Sequence, residues 1–598
     1  MKPIINDFSI QFSTVNGSGS ATANNTILKS IFRMGIPVSG RNNFPSNIQG
    51  MPTWYTLRVS GDCFLGRKEK VDILVAMNSA SIEHDIQQLT TGSVVLFDKK
   101  INLPKIAEGI TAYEMPIEEL IKKAEIKPQI AAYLANMVYV GFLAYILEIS
   151  IEVIEDCIHQ HFQGKSSAIE PNVKVLQIAH QWAKENIKKK DPYVLKPLEK
   201  TTRMILTDGN SAAALGALYG GLQFMAWYPI TPATSLAETV NEYLPQLRVN
   251  PKTGKQTCAV VQAEDELAAI GMVVGAGWGG LRAMTSTSGP GLSLMTEYLG
   301  LAYYAEVPLV VWDVQRMGPS TGLPTHTAQG DLSFSYFIGH GDIDFIILIP
   351  RSVNECFEFG WRALNIAELA QTPVFVMSDL ELGMNLWMTD AFTYPNEEVS
   401  RGKVLWENDL PKWEEKHNAK WGRYLDVDKD GIPYRTLPGN THPGAAYFTR
   451  GTGHDEFANY SEEPVDWERG LNRVKRKFST MLQYLPKPIQ KIFDHAKEGM
   501  ISYGSNCFAA EEARQILNNN GHPIDSMNIK SIPFHSEVEE FLKYHDKVYV
   551  AESNRDGQMA QILRMHYPEQ AAKIFNLACN DGLSLTADWI RNQIEKVG

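Results

Sequence analysis

Cysteine is scarce in this 598-residue chain: six residues, at 63, 157, 258, 356, 507 and 579, with no C-x-x-C pair. That spacing excludes a disulfide framework and gives no sign of an iron–sulfur cluster or structural zinc held by the chain itself. Basic tracts are missing as well. The net charge is −12 and no Lys/Arg run is longer than the KKK at 188–190, which argues against nucleic acid or an anionic membrane as main partner. The N-terminus, MKPIINDFSI, lacks the apolar core of a signal peptide. The longest apolar run, near 137–147, is bounded by Asn136 and Glu148; it is too short to span a bilayer and reads as a buried or interface helix. These absences fit a chain of the reducing cytoplasm.

What is present is globular. With 44% apolar and 21% charged residues the chain can bury real cores. Its length suggests roughly four domains of about 150 residues. Residues 1–183 open with the alternating stretch FSIQFSTV, turn through NGSGSAT into an apolar helix, and end in helices. Residues 184–202 are charged, carry two prolines and read as a linker. From 203 to 395 strands alternate with helices: LQFMAWYPI, CAVVQAE, LRAMTSTS, VPLVVWDV, DFIILIP and TPVFVMSD are the expected strands. Such alternation predicts a mostly parallel sheet covered on both faces, an α/β fold. Residues 396–485 are irregular, and 486–598 return to the β/α rhythm with GMISYGS and KVYVAES.

Several motifs invite a function and then decline it. In GAGWGG the glycines Gly275, Gly277 and Gly280 match G-x-G-x-x-G, yet a helix precedes them and a strand follows, the reverse of a dinucleotide turn. Tight helix packing followed by a helix stop is expected instead. NGSGSAT has the right context, but Thr22 holds the third glycine position; Gly17 and Gly19 form either a plain βα turn or a phosphate-contacting one. DVDKDGIPYRTL spaces Asp426, Asp428, Asp430 and Gly431 like a calcium loop but ends in Leu437, where a bidentate Glu is required. Cys157, His159 and His161 lie two apart on an expected helix and diverge. No metal is assigned to the chain.

Four strand ends carry chemistry. In AWYPITPATS, Thr231 and Pro232 suit a helix start, with Thr231 offering a hydroxyl and free N–H groups at the carboxyl end of a strand. Ser235 and Glu238 offer a second cap. Glu264 ends the next strand and reads either as an exposed carboxylate near a helix N-terminus or as one at the rim of a dry crevice, able to transfer protons. TSTSGPG supplies the hydroxyls of Thr285–Ser288. The loop VQRMGPSTGLPTHTAQGD carries Arg316, Thr325 and His326, and Arg316 is the natural clamp for a planar carboxylate.

Taken together, YPITPAT, QAEDELAAIG, TSTSGPG, QRMGPSTGLPT, RGTGHDE and VYVAESNRDGQ resemble the alpha subunit of 2-oxoacid:ferredoxin oxidoreductases, most like the 2-oxoglutarate branch. NGSGS and FPSNIQGMPTWYTLRVS resemble its gamma domain, fused in front; Ser20 departs from the second glycine often found there. The resemblance implies a thiamine-enzyme pyrimidine-type parallel-sheet domain, a transketolase C-terminal-like domain after it and an α/β gamma-type domain before it. It implies oxidation of a 2-oxoacid with CoA, releasing carbon dioxide and reducing ferredoxin. A separate beta subunit is expected to hold the diphosphate half of thiamine pyrophosphate, Mg²⁺ and a [4Fe–4S] cluster, in an (alpha–beta)₂ assembly. In agreement, this chain has no G-D-G with a downstream Asn and no clustered cysteines. By the same carry-over Glu264 is the acid facing the cofactor's N1′, Thr231, Pro229 and Ser288 contact the cofactor, and Thr231, Arg316 and Thr325 receive the 2-oxoacid. Alternatives at this point are the same chemistry on pyruvate or a branched-chain 2-oxoacid, and a non-catalytic scaffold subunit. A NAD or FAD enzyme rests on GAGWGG alone.

Overall fold

The computed structural model describes residues 2–46, 51–396, 398–493 and 495–597. Residues 47–50 of the FPSNIQGMPTWYTLRVS stretch lie outside them.

The N-terminal domain is a six-stranded sheet in the order Val38–Asn43, Pro52–Ser60, Asp7–Val15, Val71–Ala76, Leu89–Asp98, Thr111–Met115. Alternation in Asp7–Val15 sends Phe8, Ile10 and Phe12 to one face, where they meet the helices Ser20–Arg33 and Asn136–Leu147. The latter belongs to Pro128–Leu147, long and apolar enough by composition to cross a membrane. Asn136–Leu147 is instead buried almost throughout against the helix Ser166–Asn186, so the apolar run is a core helix as expected. Cys157 is buried while His159 and His161 face outward, so no shared ligand set forms. The segment after Asn186 is no loose tether. Tyr193–Val194 pairs with Ile4–Ile5, and Lys189 reaches Asp191 and the carbonyls of Ile146 and Tyr193.

The central domain is a parallel sheet with the six expected strands: β1 (Phe224–Trp227), β2 (Ala259–Gln262), β3 (Ala283–Thr287), β4 (Leu309–Gln315), β5 (Ile346–Leu348) and β6 (Pro373–Asp379). Their order is β2-β1-β3-β4-β6-β5, with Ser531–Ile532 of the C-terminal domain added antiparallel to β5. Both β4 and β6 are buried at every residue, as continuous apolar strands under two helix layers must be. On one layer Gly209–Tyr219 and Val353–Ala370 approach so closely that a Cβ on Gly360 would sit 2.6 Å from the Ala213 carbonyl. The helix α1 spans Thr234–Leu247 and α2 spans Glu266–Trp278. Of the GAGWGG glycines, Gly277 serves packing, since a Cβ on it would collide with the Pro308 carbonyl, and Gly280 takes a positive φ of 86° just past the helix end, whereas Gly275 has open space beside it. Two short helices complete this face, α3 (Gly289–Leu294) and α4 (Leu332–Tyr336).

The stretch 396–485 is less irregular than its composition suggests, since it contains the helices Leu410–His417 and Pro464–Met481. Its acidic turn is a cation clasp: Lys403 binds Asp428 and Asp430, while Arg476 binds Asp426. The C-terminal domain is a five-stranded sheet ordered Ile489–Lys491, Ile524–Ile529, Glu498–Tyr503, Lys547–Glu552, Ile574–Ala578. The polar face of the N-terminal sheet joins both other domains, through the buried Arg41–Glu381 ion pair and an Arg58–Glu512 pair at 3.1 Å.

Candidate functional site

The carboxyl ends of β3 and β4 open into a crevice of about 590 Å³, walled on its far side by the Asn554–Asp556 turn of the C-terminal domain. Arg316 follows β4 directly and is only 7% exposed. Its Nη1 donates to the carbonyl of Thr231 at 2.6 Å, reaching past the end of β3 to the end of β1. Thr231 and Arg316 are therefore neighbours, as expected. The Nε of Arg316 has no partner among the described residues. Burial pulls the guanidinium pKa down, and nearby Asp331 works against that.

The turn before α1 differs from expectation. The helix begins at Thr234, not at Pro232, with Ala233 in the cap position. The Thr234 hydroxyl closes the turn instead, accepting from the Ile230 N–H at 2.9 Å. Ser235 accepts from Asn210 rather than acting as a cap. Pro229 is exposed. Of the TSTSGPG hydroxyls, those of Thr285, Ser286 and Ser288 are all buried and without a partner among the described residues, and only Ser288 sits beyond the strand's end. Gly289 and Pro290 beside it line the crevice.

Glu264 is misplaced by the sequence reading. The strand β2 is the outer edge of the sheet, and Glu264 just beyond it is exposed rather than set in an apolar crevice. Two residues on, Glu266 is only 8% exposed. It opens α2 because Asp265 caps that helix, its carboxylate accepting from the Ala268 N–H at 2.7 Å. The Glu266 side chain lies against the turn after β3: a Cβ on Gly291 would fall 2.8 Å from its Oε1 and would also collide with the Thr287 hydroxyl. Glu266 shares a face with Ile270, Val273 and Gly277, all buried. That i, i+4, i+7, i+11 spacing was the signal available in the sequence.

Thr325 is corrected too. Its hydroxyl donates to the Phe44 carbonyl at 2.6 Å and lines a separate cavity of about 200 Å³ between the N-terminal, central and C-terminal domains. It does not face Arg316's crevice. The other cavity walls include Arg67, His84, Trp54, His326 and Ser584. At the candidate phosphate turn, Gly17 and Gly19 have φ of 83° and 78°, and Tyr133 lies over Gly19. Asn136 holds the turn from beneath through the Ser18 carbonyl.

Two groups went unread in the sequence. Gln329 fastens the loop that follows β4 to the C-terminal domain. Its Nε2 donates to the Tyr503 carbonyl at 3.0 Å, its Oε1 accepts from Asn506 at 2.6 Å, and its backbone N–H donates to Ser553 at 2.6 Å. The second group is a carboxyl pair. Asp313 in β4 is fully buried with both oxygens unpartnered among the described residues, and Asp331, before α4, lines the crevice with Arg316. Burial raises Asp313 well above the usual carboxylate range, with Asp331 adding to it. Burial pushes Asp331 up to about 7, although Arg316 pulls the other way.

Comparison with known proteins agrees with this layout. Residues 9–182 match the pyruvate ferredoxin/flavodoxin oxidoreductase family model, and residues 215–423 match its thiamine-diphosphate-binding domain model. A 2-oxoacid:ferredoxin oxidoreductase alpha subunit of Aeropyrum pernix is 31% identical over 94% of this chain and 93% of its own. The chain belongs to the 2-oxoacid:ferredoxin oxidoreductase family. A 2-oxoglutarate synthase subunit KorA of Methanothermobacter thermautotrophicus is 34% identical over 60% of this alpha-type chain and 89% of its own length. The solved 2-oxoglutarate:ferredoxin oxidoreductase of Magnetococcus marinus, with 2-oxoglutarate, coenzyme A and succinyl-CoA bound, superposes with a TM-score of 0.89. It is 29% identical and 99% of each chain is covered.

The residues of this oxidoreductase chain fit the aminopyrimidine half of thiamine diphosphate. Glu266 presents a carboxylate with no hydrogen-bond partner among the described residues, beside a turn whose Gly291 leaves the approach open. Among the described residues no group of three or more His, Cys, Asp or Glu is arranged to hold a metal ion.

Proposed function

We propose that this chain is the alpha subunit, with a gamma domain in front, of an enzyme that oxidatively decarboxylates 2-oxoglutarate with CoA. The products are succinyl-CoA, carbon dioxide and reduced ferredoxin, and the reaction is reversible. The observation that carries the reading is that Arg316, which lines the crevice, bonds the Thr231 carbonyl, while Glu266 packs against α3, whose first residues Gly289 and Pro290 line the same crevice. The choice of 2-oxoglutarate rests on the KorA relative and on the Magnetococcus structure.

Thiamine diphosphate, when bound, supplies a nucleophilic carbon and an electron sink for decarboxylation. The chain's residues do the rest. The Glu266 carboxyl, only 8% exposed, would hold the pyrimidine half by a hydrogen bond to its ring nitrogen. Arg316 takes the 2-oxoacid carboxylate through a charge-assisted pair, its remaining donor directed by the contact to the Thr231 carbonyl. The wall from Asn554 to Asp556 narrows the crevice and limits water. The gamma domain turn at Gly17 and Gly19 is a candidate contact for the phosphates of CoA.

The other half of the site belongs to a beta subunit, which we assign the diphosphate, Mg²⁺ and the [4Fe–4S] cluster. The surface next to Glu266 supports this. The edge strand β2 has an open side, and Tyr228, after the neighbouring β1, and Leu267 and Met272 of α2 are each between 38% and 43% exposed. An unpaired strand edge beside exposed apolar side chains, next to half a cofactor site, is what a partner chain covers. An (alpha–beta)₂ assembly in the cytoplasm completes the proposal.

Co-expression with the partner gene and anaerobic assay of viologen reduction tests it. CoA-dependent reduction with the highest kcat/KM for 2-oxoglutarate is expected. Preference for pyruvate or a branched-chain 2-oxoacid would reassign the substrate. No reduction by a thiamine- and cluster-loaded complex with any 2-oxoacid would support a scaffold subunit instead.

A further inference from the structure

Arg316 and Asp331 line one crevice, yet no ion pair within 4 Å joins them among the described residues. Both residues line it, although the Arg316 Nε and the Asp331 Oδ2 are themselves buried and have no partner among the described residues. The backbone fixes their relation. Gln315, in β4 directly before Arg316, accepts from the Asp331 N–H at 3.1 Å. The Asp331 carboxyl rests over the turn after β3, so close that a Cβ on Gly289 would lie 2.6 Å from its Oδ1. The unpartnered Ser288 hydroxyl precedes that glycine. Two groups of opposite charge thus face the same space, held near each other and apart. A small anion between them would meet a guanidinium on one side and a carboxyl on the other.

We propose that Asp331 is a second substrate-binding residue, which donates a hydrogen bond to the 2-oxoacid in its protonated form and opposes it once ionised. The proposal rests on the reading of Arg316 as the carboxylate clamp. Its physical basis is that a carboxylic acid is a donor, while a carboxylate is an acceptor only and repels a like charge. The groups facing Asp331 favour the protonated form overall. Asp313 lies beneath it in β4, so the pair does not ionise twice. Among the described residues Arg316 is the cation that opposes this, and burial outweighs it. Across the crevice Arg555 and Asp556 pair with each other and offer no net charge. Gln558, at the start of the helix Gln558–His566, bonds neutrally to the Gly330 carbonyl and the Ser333 N–H. Glu266 lies at the far end of the same turn, against Gly291.

With burial lifting the Asp331 carboxyl to about 7, the binding-competent fraction is half there, falls about fivefold over the next unit and approaches tenfold per unit beyond. In the alpha–beta complex the KM for the 2-oxoacid should therefore rise about 15-fold from pH 7 to 8.5, with kcat changing much less. Asp331→Asn keeps a donor and cannot ionise, so its KM should stay flat over that range and lie below wild type at pH 8.5. Asp331→Ser, smaller and also neutral, should flatten the profile at a higher KM throughout. Steady-state kinetics of the three complexes from pH 6.5 to 8.5 decides the matter. A wild-type KM that is flat across this range overturns the proposal without any variant. So does an Asp331→Asn profile that rises as wild type does, or a loss confined to kcat at every pH. The clamp itself is read separately: a normal KM for Arg316→Ala at pH 6.5 removes Arg316, whereas a defect there with unchanged behaviour of Asp331→Asn removes only Asp331.

Discussion

Glu264 and Glu266 stand two residues apart and differ in burial, and that difference separates their expected roles. Glu266→Gln removes the proton that the pyrimidine nitrogen needs, so viologen reduction should fall by about 10²- to 10⁴-fold with the assembly intact. Glu264→Gln, altering an exposed carboxylate beyond the sheet edge, should stay within a few-fold of wild type. Equal loss in both variants would mean that the partner chain buries Glu264 and draws it into the chemistry. For Arg316→Ala, losing a charge-assisted contact in a desolvated crevice should cost about 2–4 kcal/mol of transition-state stabilisation, a roughly 30- to 1,000-fold fall in kcat/KM. Arg316→Lys keeps the charge without the planar fork and should recover only part of it. Thiamine and cluster content should be unchanged in both, since the partner chain is expected to hold them; a near-normal kcat/KM would place the clamp elsewhere.

At the scale of elements, α2 has two jobs on two faces. Inward, Ile270, Val273 and Gly277 pack on the sheet; outward, Leu267 and Met272 meet solvent in the single chain. Met272→Asp should leave this chain folded, with an unchanged melting temperature, yet weaken association with the proposed beta subunit by about 2 kcal/mol or more, roughly 30-fold in Kd. Sedimentation of the mixed chains measures it. Unchanged affinity would move the partner to another face. The strands of this sheet were all legible because continuous apolar runs between helical patterns admit little else, and Gly277 and Gly280 were read correctly from their order relative to helix and strand. The positions of Thr325 and Glu264 were not legible, for a common reason. Both sit where another surface decides what a side chain touches: the gamma domain claims the Thr325 hydroxyl through Phe44, and the edge position of β2 exposes Glu264. Strand order is set by long-range pairing, and local pattern carries no record of it. Likewise Asp331 and Gln329 lie in a loop with no periodicity to mark them.

Across the whole molecule, buried charge joins what the chain separates. Glu306, after the helix Thr296–Tyr304, is fully buried and accepts from Arg473 and from Lys477 at 2.9 Å, while the Arg423 guanidinium donates to its backbone carbonyl at 2.9 Å. These three cations come from the 396–485 stretch, so one carboxylate holds that region onto the central domain. Burial alone would raise the Glu306 carboxyl, but Arg473 and Lys477 outweigh it and hold it well below the ordinary value of 4.5. The same burial lowers Lys477 to about 8 despite Glu306 beside it. For a carboxylate depressed on folding, the stabilisation is complete above its unfolded value and is lost as the pH falls below about 4.5. Glu306→Gln leaves the cations uncompensated in a dry interior, and breaking a buried pair in this way costs about 3–5 kcal/mol. Denaturant unfolding at pH 7 should show that loss in full, and it should shrink only as the pH is taken well below 4.5, where wild type gives up the same interaction. A variant as stable as wild type at pH 7 would mean that the 396–485 region is held by its apolar contacts, with Val474, Phe478 and Met481 against the central core, and that the charges only tune its seat.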